Sequence, residues 1–117
     1  AAFDSSGLCI FTTFAWGLQD LSPQMQGACD EAYTVEELAK IGERIWNMER
    51  EFNNRAGFTS KDDSLPPRLT TPEGACKTGP AKGKFNELAT MLPKYYEVRG
   101  WDAEGRPTAA TKARLGI

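Results

Sequence analysis

The chain has 117 residues, enough for one ordinary domain and too few for two. Hydrophobic residues make up 40% and charged residues 26%, which predicts a folded core and excludes an intrinsically disordered chain. The net charge of -2 leaves no electrostatic footprint for nucleic acid or an anionic membrane, and no apolar run approaches the roughly 20 residues of a membrane-spanning helix.

The three cysteines, Cys9, Cys29 and Cys76, are too widely spaced for a zinc CxxC pair or a disulfide framework. No basic stretch leads into an apolar one, so no signal peptide is expected, and the odd cysteine count then favours a reduced, cytoplasmic setting. An Ala at position 1 fits either an excised piece or a chain that has lost its initiator Met. Histidine is absent, which removes the commonest general base and the commonest metal ligand. Complete catalytic chemistry within these residues alone is therefore not expected.

In chain order, Phe11 to Leu18 has a weak helical pattern, diluted by Thr12, Thr13 and the aromatics. Leu21-Ser22-Pro23 reads as a helix entry, with Ser22 as N-cap and Pro23 in the first helical position, and predicts a short helix to about Ala32. Thr34 and Glu37 form a Thr-x-x-Glu capping box. Leu38, Ile41, Ile45, Met48 and Phe52 follow at steps of three and four, which places them on one face of a long helix over residues 35–56, ended by Gly57. Residues 58–84 are rich in Pro, Gly, Thr and charge and predict an irregular connection, long enough to be functional or tied to a neighbour. A helix resumes near Phe85 with Leu88, Met91 and Leu92 inward, and Pro93 is expected to bend or restart it. Asp102 to Gly105 reads as a turn, and a last short helix spans about Ala109 to Leu115, with Thr108 near its start and Gly116 at its end. The expectation is an all-α, irregular multi-helix array with long loops. It is organised as a segment over 1–20, a long amphipathic helix over 34–57, the loop 58–84 and C-terminal helices over 85–117.

Few residues suggest chemistry by themselves. Asp4 can accept hydrogen bonds from the amino groups of a pterin or purine ring, and Gly7 permits close backbone approach to a ligand. Cys9, beside Leu8, Ile10 and Phe11, fits a small buried hydrophobe clearly better than a ligand. Arg44, Glu49, Arg50 and Arg55 on the long helix fit a solvated face first and ion pairs to a neighbouring element second. Asp62-Asp63 fits a loop better than a metal site. Tyr95, Tyr96 and Trp101 fit packing anchors with polar tips.

Four motifs in order carry a resemblance to a known family. Asp4-Ser5-Ser6-Gly7-Leu8-Cys9 resembles the Asp-x-x-Gly-Leu-Cys segment of the tungsten-containing aldehyde:ferredoxin oxidoreductase family. Ile41-Gly42-Glu43-Arg44-Ile45 and Glu49-Arg50-Glu51-Phe52-Asn53 resemble its long helix, and residues 57–66 continue the likeness. Tyr95-Tyr96-Glu97-Val98-Arg99-Gly100-Trp101-Asp102 is similar to the family's C-terminal signature, as are Pro107-Thr108 and Leu115-Gly116. Residues 70–84 match least, and Cys76 belongs to no motif of the family.

The resemblance implies the C-terminal helical region of an enzyme that oxidises an aldehyde to a carboxylate at tungsten held by two pterins. Electrons pass through a 4Fe-4S cluster to ferredoxin. It implies that Cys9 is the last of four cluster ligands, that Asp4 hydrogen-bonds a pterin ring, and that Ser5, Ser6, Gly7 and Leu8 give backbone contacts around that pterin. The remaining cluster ligands and acid–base groups then belong to other parts of the same enzyme, so residues 1–117 by themselves are expected to be inactive and to lack the complete cofactor set. A homodimer of the full-length enzyme is also compatible. Two alternatives stay open: a related tungsten enzyme such as an aromatic acyl-CoA reductase subunit, and a cofactor-free helical interaction module. The apolar side of the first helix is expected to face the rest of the enzyme.

Overall fold

A computed structural model describes every residue except Asp30. Among the described residues it is all-α, as expected. The helices are α1 (Ala2–Ser5), α2 (Leu18–Ala28), α3 (Val35–Arg55), α4 (Pro67–Thr70), α5 (Leu88–Arg99) and α6 (Ala109–Leu115). Two 3-10 turns, Ile10–Phe14 and Pro72–Gly74, join them, and an isolated bridge pairs Trp101 with Pro107. No described helix is long and apolar enough to cross a membrane. The chain divides into two compact units, one formed by residues 1–52 and 112–117, the other by residues 53–111.

The first unit is built on Phe3 of α1, Leu21 of α2 and Leu38 of α3, with Leu8, Leu18, Met25 and Tyr33 packed against them. This core explains why α2 departs from the expected entry at Ser22-Pro23. Starting the helix at Leu18 puts Leu18, Leu21 and Met25 on one face, at i, i+3 and i+7. The Asp20 carboxylate accepts from the Gly17 N–H at 2.8 Å and closes the first turn. Pro23 then lies inside the helix, at its sixth residue, and Ser22 does not cap. The Ser22 hydroxyl instead donates to the Tyr33 carbonyl at 2.6 Å, where the Gln26 amide also donates at 3.1 Å. The helix stops at Ala28, short of the expected Ala32.

The expected helix over Phe11 to Leu18 is also corrected, to a single 3-10 turn over Ile10–Phe14. Thr12 and Thr13 turn their hydroxyls onto the carbonyls three residues back, those of Cys9 and Ile10, at 2.8 and 2.7 Å. Such local bonds favour a tight turn over a propagating helix.

Helix α3 follows the sequence pattern closely. Its capping box is present in both directions, with the Glu37 N–H donating to Thr34 Oγ1 at 3.2 Å and the Thr34 N–H to Glu37 Oε2 at 3.1 Å. Thr34→Ala is expected to cost about 1 kcal/mol of stability, read as a lower denaturation midpoint with an unchanged slope. The apolar stripe is buried only towards the start of the helix. Leu38 is buried and Ile41 and Ile45 are half-buried, whereas Met48 and Phe52 are largely exposed. The most buried residue of α3 is Asn47, whose amide donates to the Glu43 carbonyl at 2.9 Å. The polar face also does more than meet solvent. Arg44 Nε donates to the Leu115 carbonyl at 2.7 Å, and Arg114 donates to Glu43 at 2.9 Å. Lys112 lies 3.5 Å from Glu51. These contacts fasten residues 112–117 onto α3 and bury Leu115 completely. The Glu43 hydrogen bond, and then its charge, raises the Arg114 pKa above the ordinary guanidinium value.

In the second unit, the loop expected over 58–84 is partly ordered by α4 and the Pro72–Gly74 turn, each opened by a proline in its first turn. Residues 76–84 close on themselves through Cys76 N–H to the Lys84 carbonyl at 3.1 Å and Gly83 N–H to the Cys76 carbonyl at 2.9 Å. Helix α5 starts at Leu88, not near Phe85, and passes Pro93 without a break. Of its expected inward residues, Leu88 and Leu92 are half-buried and Met91 is exposed. It ends where Gly100 takes φ +68°, with Trp101 N–H donating to the Tyr96 carbonyl at 2.8 Å. Tyr96 and Trp101 are buried with ring centroids 5.8 Å apart, and the Tyr96 hydroxyl donates to the Asp63 carboxylate. They are packing anchors with a polar tip, as the sequence suggests. The expected turn at Asp102–Gly105 is present, with Asp102 Oδ1 accepting from the N–H groups of Glu104 and Arg106, both at 2.9 Å.

Candidate functional site

The six residues Asp4 to Cys9 lie in the first unit, between α1 and the Ile10–Phe14 turn. Phe3 anchors the segment by burial, and the backbone then leaves the helix in steps fixed by hydrogen bonds. Ser6 Oγ donates to the Phe3 carbonyl at 2.7 Å, and Gly7 N–H donates to the Asp4 carbonyl at 3.3 Å. Gly7 has φ +81°, a conformation costly for any residue with a Cβ, and a Cβ built there would meet nothing within 4 Å. The backbone at Gly7 therefore faces open space, while Leu8 turns back onto the core.

Cys9 precedes the 3-10 turn, and its carbonyl accepts from both the N–H and the hydroxyl of Thr12, at 2.9 and 2.8 Å. These two bonds hold its backbone, while the residue itself is exposed with a free thiol. The reading of Cys9 as a small buried hydrophobe does not describe this structure. The Asp4 side chain is 62% exposed. Ser5 and Gly7 are exposed, and Ser6 and Leu8 half-buried. The segment thus presents one carboxylate, one thiol and a run of approachable backbone.

Next to Cys9 the surface is strongly apolar. Ile10, Phe11 and Phe14 are 46%, 70% and 85% exposed, and the two phenyl rings stack at 5.8 Å. This matches the expected apolar side of the first segment, although a 3-10 turn carries it.

Among the described residues no three His, Cys, Asp or Glu side chains come together to hold a metal ion. Cys29 and Cys76 are exposed free thiols, Cys29 in the first unit and Cys76 in the second. An exposed single thiol fits one position of a four-thiolate iron–sulfur cluster and cannot hold such a cluster by itself. Asp4 fits a pterin ring, since an ionised carboxylate only accepts and the ring's amino and N–H groups donate.

One feature has no signature in the sequence. Residues between Ser60 and Ala103 line an open cleft of about 1060 Å³ in the second unit. Asn86 is part of its wall, with Oδ1 buried and unpartnered.

Comparison with known proteins bears on the whole chain. A family model described as "Aldehyde ferredoxin oxidoreductase, domains 2 & 3" matches residues 1–117. The chain is 44% identical over 118 residues to a tungsten-containing aldehyde ferredoxin oxidoreductase of Pyrococcus furiosus, a match covering 100% of the chain and 19% of that protein. It is 43% identical over 118 residues to the protein of the same name from Thermococcus kodakarensis, with the same coverage, 100% and 19%. A more distant relative, 30% identical over 126 residues, is an aliphatic sulfonate oxidoreductase, WOR-like subunit, of Pyrococcus furiosus, with 100% of the chain and 20% of that protein covered. The chain spans about a fifth of the length of the curated relatives it matches.

Proposed function

The chain belongs to the aldehyde ferredoxin oxidoreductase family, and on that premise we propose that Asp4 to Cys9 form one edge of a tungsten–pterin and 4Fe-4S centre that oxidises aldehydes to carboxylates. The observation that carries this is the joint exposure of the Asp4 carboxylate and the Cys9 thiol on a short segment tied down by its own backbone bonds.

Cys9 supplies the last of four thiolate ligands, and the Thr12 bonds to its carbonyl keep that ligand in place. Asp4 accepts hydrogen bonds from a pterin ring, and the backbone of Ser5, Ser6, Gly7 and Leu8 lies against it, with the open space at Gly7 allowing close approach. When bound, tungsten supplies the oxidation chemistry and the cluster relays electrons to ferredoxin. The chain's own part is to bind and orient these groups and to keep water away from them. Ile10, Phe11 and Phe14 serve the last task by docking onto the remaining domains of the same polypeptide, which supply the other cluster ligands. Residues 1–117 alone therefore bind no complete cofactor.

The test of the Asp4 assignment uses the complete polypeptide. A hydrogen bond to a charged group contributes enough that Asp4→Ala is expected to weaken pterin retention roughly 10- to 100-fold, with iron content held. Pterin released by acid oxidation and iron measured on the same sample decide it. Wild-type pterin content and turnover in Asp4→Ala would refute the assignment.

A further inference from the structure

Gly42 stands in the interior of α3, where glycine weakens a helix relative to alanine because its freer backbone has more entropy to lose. Its φ is not positive, so no left-handed turn requires a glycine at this position. What requires it is space. A Cβ built on Gly42 would stand 3.2 Å from the Ala2 Cβ and 3.3 Å from the Ala2 backbone N. Ordinary carbon contacts are about 3.5–4.0 Å. Neither atom can rotate away, so a side chain at Gly42 moves the Ala2 backbone by a few tenths of an ångström.

Helix α1 meets α3 one turn earlier as well. Phe3 of α1 and Leu38 of α3 belong to one buried cluster, and Leu38 and Gly42 lie on the same face of α3, at i and i+4. Helix α1 is therefore seated over two successive turns, by a bulky apolar contact at Leu38 and a backbone-close one at Gly42. The chain after α1 is tied to that seat. Ser6 N–H donates to the Ala2 carbonyl at 3.1 Å, and Ser6 Oγ donates to the Phe3 carbonyl at 2.7 Å. Asp4 lies within α1 itself, and Leu8, next to Cys9, packs on the same cluster.

We propose that Gly42 is a positioning residue for the cofactor edge. Lacking a side chain, it lets α1 sit against the α3 backbone, and the depth of that seat sets where the Asp4 carboxylate and the Cys9 thiol stand. Gly42 acts through Ala2. The inference rests on the assignment of Asp4 and Cys9 to the cofactors.

Gly42→Ala in the complete polypeptide tests it. Hydrogen exchange at residues 5–7 reads the seat without reference to any cofactor, and is expected to accelerate about five-fold or more as α1 is pushed outward. Iron content is expected to hold, while the electron paramagnetic resonance g-values of the reduced cluster shift. A misplacement of about 1 Å can cost a reaction roughly 100-fold, so this smaller shift is expected to lower turnover about 3- to 10-fold. Gly27→Ala is the control. It makes the same change in α2, where the added Cβ meets nothing within 4 Å among the described residues, and should leave all four readouts at wild type. Adding Ala2→Gly to Gly42→Ala removes the Cβ that is struck, and should return each readout towards wild type. A merely stiffer α3 would give no such rescue. If Gly42→Ala alone does not fold, recovery of the fold by Ala2→Gly supports the close seat, and the double variant carries the other readouts.

Wild-type exchange at residues 5–7 in Gly42→Ala, equal effects in Gly27→Ala, or no rescue by Ala2→Gly would each overturn the proposal. So would faster exchange with an unchanged spectrum and turnover. Cys9→Ser then shows which part has failed: an altered spectrum in that variant leaves the Cys9 assignment standing and removes Gly42 alone, and a wild-type spectrum removes both.

Discussion

Cys9→Ala in the complete polypeptide is expected to lower the iron bound per chain and to reduce aldehyde-dependent dye reduction by roughly 100-fold or more. Groups that only support a metal ligand typically contribute 10- to 100-fold to metal affinity or activity, so loss of a ligand sets a larger effect. The thiol is exposed and its backbone is held through Thr12, so removing the side chain leaves the local fold standing. Cys29→Ala and Cys76→Ala are the internal comparison. Both residues are exposed free thiols like Cys9, and neither lies in the Asp4–Cys9 segment. They are expected to leave iron and turnover near wild type. An equal loss of iron in all three variants would point to general instability and count against a particular role for Cys9.

The second large effect is structural. Gly100→Ala is expected to destabilise the second unit by about 2–4 kcal/mol. A left-handed conformation costs an L residue about 1–2 kcal/mol, and Gly100 has φ +68°. The added Cβ would also stand 2.2 Å from Thr111 Oγ1. That hydroxyl donates to the Gly100 carbonyl at 2.7 Å, and Thr108 N–H donates to the same carbonyl at 3.1 Å. The substitution therefore forces apart the contact that joins the end of α5 to the start of α6, and forfeits a hydrogen bond of about 1 kcal/mol. Hydrogen exchange over residues 96–111 reads the effect locally. Exchange there should accelerate by roughly 30-fold to several hundred-fold, the factor that corresponds to this free energy. Unchanged protection would show that the Gly100 turn is not a structural constraint.

These two residues also show how far the sequence could be read. Helix α3 was legible because its determinants are local: Thr34 and Glu37 cap it, and Leu38, Ile41 and Ile45 repeat with the helical period. Met48 and Phe52 continue that period but are exposed, since periodicity states which face is apolar and not what covers it. The start of α2 was misplaced because Ser22-Pro23 carries a strong local entry signal. Burial of Leu21 with Leu18 packed against the same cluster, and the use of the Ser22 hydroxyl by the distant Tyr33 carbonyl, overrode it. Pro93 raised the same difficulty in α5, where the helix continues past it.

For the candidate site, the residues alone favoured a buried Cys9, and only the ordered motifs gave Asp4 and Cys9 distinct roles. Exposure of both side chains is a physical feature that neighbouring apolar residues had concealed. The cleft around Asn86 was not legible at all. Its walls come from residues as far apart as Ser60 and Ala103, and an orphaned acceptor is a property of packing, not of sequence. The pairing of Arg44 and Glu43 with residues 114 and 115 was hidden in the same way, since a charged helix face looks alike whether it meets water or another segment.

The central claim is that Cys9 is bonded to the iron–sulfur cluster. Electron paramagnetic resonance of the dithionite-reduced complete polypeptide, wild type against Cys9→Ser, tests it most directly. Exchanging a thiolate for an alkoxide ligand changes the electronic structure of the iron it binds, so the account predicts altered g-values and a shifted midpoint potential in Cys9→Ser, with Cys29→Ser and Cys76→Ser matching wild type. A Cys9→Ser protein with the wild-type spectrum, potential and iron content would contradict it.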